Sequence, residues 1–286
     1  MTNSIAEIED TDCMFVIGSN TTEAHPVIAL RMKKALRHGA KLIVADPRRT
    51  WMAEHAAIHL QLKPGTDIPL VNALAHVILA EGLQAQDYIT NLTENYAEFA
   101  QAVSEWPPER AAEVCGVSAD DIRAAARIYA TTDRAGIYYT LGITEHVCGV
   151  DNVRALSNLA LATGHLGREA VGVNPLRGQN NVQGCNDMGN NPVYLPGYQL
   201  VEKANSRAIF EHAWGTPLSA VPGLRLDQMM DRMHTGELRA FYVMGEDPLV
   251  SEPNLAHVER GFEKVDFVVC QDIFLNETSR RFADVV

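Results

Sequence analysis

One stretch of the sequence places a single guanidinium among many carboxamides. It runs from Asn174 to Gly189 and contains Arg177 together with six Asn and Gln side chains. The planar fork of an arginine can bind a small carboxylate through two parallel hydrogen bonds. Carboxamides both donate and accept, which suits a polycyclic ligand rich in N–H and C=O groups. An arginine that braces a loop through backbone carbonyls would have the same sequence, so both interpretations stay open.

Two further sets of residues have the arrangement expected of nucleotide binding. Gly18 follows one apolar run and Asp46 ends the next, and the same order recurs later with Gly245 and Gln271. A glycine lets backbone approach a phosphate or ribose, and an acid at the following strand end can accept from ribose hydroxyls or a guanine edge. The chain has no dinucleotide-binding glycine fingerprint and no Walker sequence. Each glycine could instead only turn the chain, and Asp46 could cap a neighbouring helix.

The elements that would position the first set form a strand, helix and strand in close succession. The apolar run Met14–Ile17 predicts a strand, and apolar residues at every fourth position predict a helix over Pro26–His38. A second strand follows over Lys41–Ala45, which completes a unit with parallel strands. Further strands are predicted over Ile58–Leu62 and Ala135–Thr140. Further helices are predicted at three places: one is capped by Thr66 or Asp67, one is capped by Ser118, and one spans Val150–Thr163.

The second set is positioned by a similar unit near the end of the chain. Strands are predicted over Ala240–Met244 and Val265–Cys270, with a helix from Pro253 between them. The stretch from Gly172 to Gly197 is rich in Gly, Asn and Pro and lacks apolar periodicity, which predicts a long structured loop. We place the boundary between two Rossmann-like α/β lobes in this loop, with lobes over 1–178 and 179–286.

Composition and charge exclude several classes of partner. The 286 residues are 47% hydrophobic and 21% charged, with a formal net charge of -12. An acidic surface repels nucleic acid, and the apolar runs are too short to insert into a membrane. Five scattered cysteines without a Cys-x-x-Cys pair provide no iron–sulfur or zinc cassette, and we expect four of them to be buried. No signal peptide is recognised, so a cytoplasmic location is expected.

The Arg177 loop and its neighbours resemble one known family. The run Leu176–Gly189 is similar to a signature of molybdenum- or tungsten-dependent formate dehydrogenase catalytic subunits, within the molybdopterin oxidoreductases. Nitrate reductases of the same superfamily carry a different pattern in this loop. The other matching segments follow in the same order along the chain: Ala45–Arg48, Leu141–Thr144, Thr163–Gly167, Met244–Leu249 and Gln271–Phe274.

The resemblance implies a cofactor of two molybdopterin guanine dinucleotides on one molybdenum or tungsten, a bis-MGD group, with one dinucleotide on each lobe. Arg177 would be the substrate arginine that orients formate. The positions that match cofactor contacts are Gly18, Asn20, Asp46, Arg48, Gly65, Asp67, Leu141, Glu145, Gln179, Asp247, Ser251 and Gln271. Glu145 stands where related enzymes often carry Gln, which puts its side-chain contact in doubt.

The resemblance also implies parts of a subunit that these residues do not include. A 4Fe-4S segment and a Cys or selenocysteine metal ligand would precede Met1, and a cap domain would follow Val286. No residue of this chain is therefore predicted as a metal ligand, and His55 and His59 are expected to be structural or solvated. The remaining segments of the subunit, and electron-transfer subunits, would be its partners. On this interpretation the 286 residues alone are inactive.

Two other functions remain open at this stage. A non-catalytic module that binds pterin or guanine dinucleotide would have the same loops, and tight nucleotide binding without redox activity would distinguish it. A reductase of the same superfamily that acts on nitrate or a sulfur oxide would share the cofactor residues, although the Arg177 loop argues against it.

Overall fold

The computed structural model describes all 286 residues, which divide into two compact units, Met1–Gln179 and Asn180–Val286. The boundary predicted from sequence lay between Gly178 and Gln179. The α/β class predicted from sequence is confirmed, because both units contain parallel strands connected through helices.

The first unit is built on one parallel sheet of five strands. They are β1 (Cys13–Ile17), β2 (Lys41–Ala45), β3 (Ile58–Leu60), β4 (Ala135–Tyr139) and β5 (Gly172–Pro175), in the spatial order β3-β2-β1-β4-β5. The chain therefore adds strands on one side of β1 and then crosses to the other side. The crossing places a topological switch point between β1 and β4, where ligands of such sheets bind.

The helices of the first unit cover both faces of this sheet. A 3-10 helix spans Ala6–Asp10, and the α-helices are α1 (Thr21–Ala24), α2 (Pro26–Arg37), α3 (Trp51–Glu54), α4 (Asp67–Ala80), α5 (Gln86–Leu92), α6 (Tyr96–Ser104), α7 (Pro108–Cys115), α8 (Ala119–Thr131), α9 (Leu141–Thr144) and α10 (Gly149–Ala162). Phe15 and Ile17 of β1 pack in one core with α4, α8 and α10, whereas Met14 and Val16 pack in a second core with α2 and α3. Burial on both faces explains why β1 is apolar throughout.

The second unit has a much smaller sheet. Strands β8 (Ala240–Met244) and β9 (Phe267–Gln271) pair in parallel, and a separate hairpin pairs β6 (Tyr194–Leu195) with β7 (Gln199–Leu200). Its helices are α11 (Val182–Asp187), α12 (Ala204–Trp214), α13 (Leu226–Thr235), α14 (Pro248–Ser251), α15 (Leu255–Phe262) and α16 (Glu277–Phe282). Its core is formed by eight residues that include Met233, Val258 and Phe262.

Three local predictions are wrong. The stretch 172–197 is not all loop, because it contains β5, α11 and β6. Neither Thr66 nor Asp67 caps α4 with its side chain, since the Thr66 hydroxyl donates instead to the Lys63 carbonyl at 2.6 Å. Only three cysteines are buried, and Cys148 is exposed together with Cys185. The Ser118 cap of α8 is confirmed, because its hydroxyl accepts from the Asp121 N–H at 3.0 Å.

Candidate functional site

A cavity of about 580 Å³ lies at the carboxyl ends of the strands in the first unit. Parallel pairing puts the ends of all five strands at one edge, so the segments that follow them converge there. The cavity lining includes nine of the positions that the resemblance marked as cofactor contacts: Gly18, Asn20, Asp46, Arg48, Gly65, Asp67, Leu141, Glu145 and Gln179. These residues come from five separate segments of the chain.

The floor of this cavity contains a close contact between two glycine backbones. Gly18 follows β1 with a φ of +56°, and a Cβ placed on it would lie 2.7 Å from the carbonyl carbon of Gly142. A Cβ on Gly142 would lie 2.6 Å from the Cα of Gly18. The Thr140 hydroxyl and the Gly142 N–H both donate to the Gly18 carbonyl, at 2.7 Å and 3.2 Å. The switch point is therefore closed by contact between the backbones of these two glycines.

The segment after β2 is held by hydrogen bonds from His59 in β3 and from Gln61, which follows β3. The buried Asp46 carboxylate accepts from the Arg48 N–H at 2.8 Å, which makes a tight local turn. His59 donates from Nε2 to the Asp46 carbonyl at 2.9 Å, and Gln61 donates to the Pro47 carbonyl at 3.0 Å. The expectation that His59 has a structural role is thus confirmed. These bonds hold the carboxylate at the cavity, so Asp46 does not serve as a cap for a neighbouring helix.

A carboxylate and an imidazole face each other across the cavity wall. Asp67 is 6% exposed, and its Oδ2 lies 3.8 Å from His146 Nε2, which itself donates to the Gly142 carbonyl at 2.9 Å. Burial raises the pKa of Asp67, and Asp46 raises it further, whereas His146 partly opposes the shift. Burial disfavours the charged form of Asp67, so a ligand that donates hydrogen bonds to the carboxylate would stabilise that charged form.

Arg177 follows β5 at the same edge of the sheet. Its neighbours Leu176 and Gly178 line the cavity, and Leu176 is 4% exposed. The Arg177 side chain is exposed, and its guanidinium makes no hydrogen bond or ion pair within the chain. The loop-bracing interpretation is therefore wrong. Its charge acts on Tyr139: burial raises the pKa of that phenol, and the nearby guanidinium works against the rise.

The second unit has a smaller cavity at the ends of β8 and β9. It measures about 480 Å³ and is lined by Met244, Gly245 and residues 271–274. Gly245 has a φ of +66°, and its N–H donates to the Gln271 carbonyl at 2.9 Å. The Gln271 amide oxygen accepts from the Tyr242 hydroxyl at 2.5 Å. Gln271 is thus the one predicted contact of this unit that lines the cavity.

Asp247 and Ser251 bond to the protein instead. The Asp247 carboxylate accepts from the Thr278 hydroxyl at 2.5 Å and from the N–H groups of Glu277 and Thr278 at 3.1 Å. Burial acts to raise the pKa of Asp247, but these donors together lower it. The Ser251 hydroxyl donates to Glu246 and to the Asp247 carbonyl. Asp247 therefore fastens the start of α16, and neither residue belongs to the lining of the second cavity.

Sequence reasoning did not assign a site role to several residues that line the first cavity. His25, Thr140 and His146 are among them. Their positions along the chain could have indicated this role. His25 lies in the segment that follows β1, and His146 is adjacent to Glu145 in the segment that follows β4. His165 follows α10, is 3% exposed and donates to the Tyr129 carbonyl at 3.1 Å, away from this cavity.

The structure has no group of three or more His, Cys, Asp or Glu side chains arranged to hold a metal ion. None of its helices combines the length and the apolar character needed to cross a membrane. Burial raises the pKa of Cys13 to about 12 and also raises that of Cys115, which disfavours the thiolate form of both side chains.

Comparison with known proteins extends over the whole chain. Residues 1–286 match the family model described as molybdopterin oxidoreductase. The chain is 47% identical over 286 residues to the F420-dependent formate dehydrogenase subunit alpha of Methanocaldococcus jannaschii, and 44% identical over 287 residues to formate dehydrogenase H of Escherichia coli. All of this chain is covered in both, but only 42% and 40% of the two relatives.

A solved structure shares the fold. Acetylene hydratase from Pelobacter acetylenicus superposes with a TM-score of 0.74 at 23% identity, over 99% of this chain and 43% of that one. At this identity the likeness concerns the fold alone.

Proposed function

The chain belongs to the molybdopterin oxidoreductase family, and on that basis we propose that residues 1–286 are the central part of a formate dehydrogenase alpha subunit. The subunit would oxidise formate to CO2 and pass two electrons onward. One observation carries this proposal: relatives that align with the whole chain at 44 to 47% identity are named formate dehydrogenases. The remaining segments of the subunit and electron-transfer subunits would be its partners.

The residues of the first cavity fit one dinucleotide of a bis-molybdopterin guanine dinucleotide. The cavity has a volume of about 580 Å³, and the Nδ1 atom of His25 in its lining is buried without a hydrogen-bond partner. Asp46 and Asp67 are acceptors for ring and ribose donors, and Arg48 can pair with phosphate. When bound, the group supplies a molybdenum or tungsten centre that accepts two electrons.

Arg177 would bind the formate carboxylate. Oxidation of formate breaks its C–H bond and releases CO2, one proton and two electrons. A guanidinium stays protonated in proteins, so Arg177 would hold the carboxylate and direct the C–H bond without accepting the proton. Its exposed side chain makes no bond within the chain, so no internal ion pair has to be broken before it binds substrate.

Replacing Arg177 tests this role in the cofactor-loaded full-length subunit. We expect Arg177→Lys to lower kcat/KM for formate roughly 10- to 100-fold, because a lysine cannot form the two parallel hydrogen bonds. Molybdenum or tungsten content should stay unchanged. Arg168→Lys is the matched control, because Arg168 is exposed and bonds to Asp133 outside the cavity. Wild-type turnover by the Arg177 variant would exclude its substrate role.

A further inference from the structure

His25 connects the first cavity to the backbone of Arg177. It lies between α1 and α2, and its ring lines the cavity. Its Nε2 lies 2.9 Å from the Arg177 carbonyl oxygen, a contact between segments far apart in sequence. A carbonyl oxygen can only accept, so Nε2 carries the proton and donates. The other nitrogen, Nδ1, is buried and has no hydrogen-bond partner.

The backbone around Arg177 has few other anchors. Leu176 is held by its buried side chain and by an N–H bond to the Tyr139 carbonyl at 2.8 Å. Beyond Leu176, the carbonyl bond to His25 is the one hydrogen bond made by the backbone of Arg177 and Gly178. The direction in which the Arg177 side chain leaves the backbone therefore depends on Leu176 on one side and on His25 on the other.

A histidine is a costly choice for this position if packing is its only purpose. A buried polar atom without a partner costs about 1–3 kcal/mol, and a phenyl ring of similar shape would avoid that cost. A phenyl ring could not donate to the Arg177 carbonyl, however, so the bond from Nε2 is a contact that only a donor such as histidine supplies at this position.

We propose that His25 is a positioning residue for Arg177, whose carbonyl it fixes so that the guanidinium is directed to the substrate. The proposal rests on the substrate role of Arg177 given above. It adds a residue that acts through the backbone of Arg177 and not through contact with formate.

Trypsin provides a direct test, because it cleaves the peptide bond whose carbonyl His25 holds. In the chain of residues 1–286, we expect His25→Phe to speed cleavage after Arg177 roughly fivefold, the effect of about 1 kcal/mol from one hydrogen bond. His25→Gln keeps an N–H donor and should cleave more slowly than His25→Phe. His38→Phe, at an exposed histidine that directly follows α2, should match the wild type. Cleavage after Arg168 gives the internal reference for overall unfolding.

A second arm uses the cofactor-loaded full-length subunit. His25→Phe should lower kcat/KM for formate several-fold at unchanged metal content, and His25→Gln should restore part of it. Equal trypsin rates after Arg177 in His25→Phe and wild type would overturn the proposal, whatever the formate kinetics. A different result is faster cleavage of His25→Phe together with full activity of Arg177→Lys. That result would contradict the proposed function, and therefore also the proposal that His25 directs Arg177 to the substrate.

Discussion

Gly18 illustrates how much of a site can depend on one missing side chain. From sequence, its place after an apolar run predicted close approach of backbone to a ligand. The structure adds a protein contact that the sequence could not reveal, because Gly142 lies far away along the chain. The two backbones approach so closely that a Cβ on either would lie within 2.7 Å of the other. The sequence located the cavity residue, but only the fold shows that two glycines are required together.

Substituting Gly18 should therefore damage the first unit more than an ordinary glycine replacement. We expect Gly18→Ala to lower the free energy of unfolding by about 2–5 kcal/mol, from a left-handed φ and from overlap with Gly142. Gly39→Ala is the matched control, since Gly39 has a φ of +99° and no atom within 4 Å of its added Cβ. It should lose only about 1–2 kcal/mol. Urea unfolding followed by circular dichroism measures both, and equal losses would contradict the steric argument.

At the scale of elements, the strands that are buried on both faces were predictable, whereas β5 at one edge of the sheet was not. The continuous apolar runs of β1 and β2 leave no other placement than a covered parallel sheet. By contrast, β5 is four residues long and contains Gly172 and Pro175, so its composition is that of a turn. Its strand character comes from pairing with β4, a contact between distant parts of the chain. The short helix α11 was also not predicted, because its sequence contains Gly and Asn residues that are typical of turns.

His165 shows how one buried side chain ties elements together. It follows α10, its N–H donates to the Ala160 carbonyl, and its carbonyl accepts from the N–H of Gly172, the first residue of β5. Its ring packs edge-on to Tyr129 and donates to the Tyr129 carbonyl at the end of α8. Burial is the main cause that lowers the pKa of His165, from 6.5 to about 4. Between about pH 6.5 and pH 4 the ring is therefore neutral in the folded chain, where an unfolded histidine is charged.

This shift predicts a loss of stability in acid. Between pH 6.5 and 4 the unfolded chain binds a proton at His165 that the folded chain does not, so stability falls as pH falls through this window. The loss through this residue alone approaches about 3 kcal/mol at pH 4. His165→Gln keeps a donor for the Tyr129 carbonyl but cannot titrate. Urea midpoints of both proteins, measured from pH 7 to 4, should converge as pH falls; parallel curves would show that His165 does not titrate as expected.

At the scale of the whole molecule, the two units differ in how much of their apolar surface they cover. The sheet of the first unit has helices on both faces and two cores. The sheet of the second unit has two strands, and large apolar side chains are exposed beside it: Ile273 is 89% exposed, Phe274 73% and Met244 65%. A two-stranded sheet is marginal by itself. Since the chain spans only 42% of the length of its Methanocaldococcus relative, segments outside these residues are available to complete such a surface in that protein.

The two units should consequently differ when they are produced separately. We expect residues 1–179 alone to unfold in one cooperative transition, because every strand of the five-stranded sheet and both cores lie within them. Residues 180–286 alone should bind a hydrophobic dye and lose circular dichroism gradually on heating, since eight core residues support over a hundred. Calorimetry and dye fluorescence on the two pieces provide the measurement, with residues 1–286 as reference. The contrary result would be a sharp unfolding transition of the second piece without dye binding. The exposed apolar residues would then not require burial by other segments, and the core of each unit alone would determine its stability.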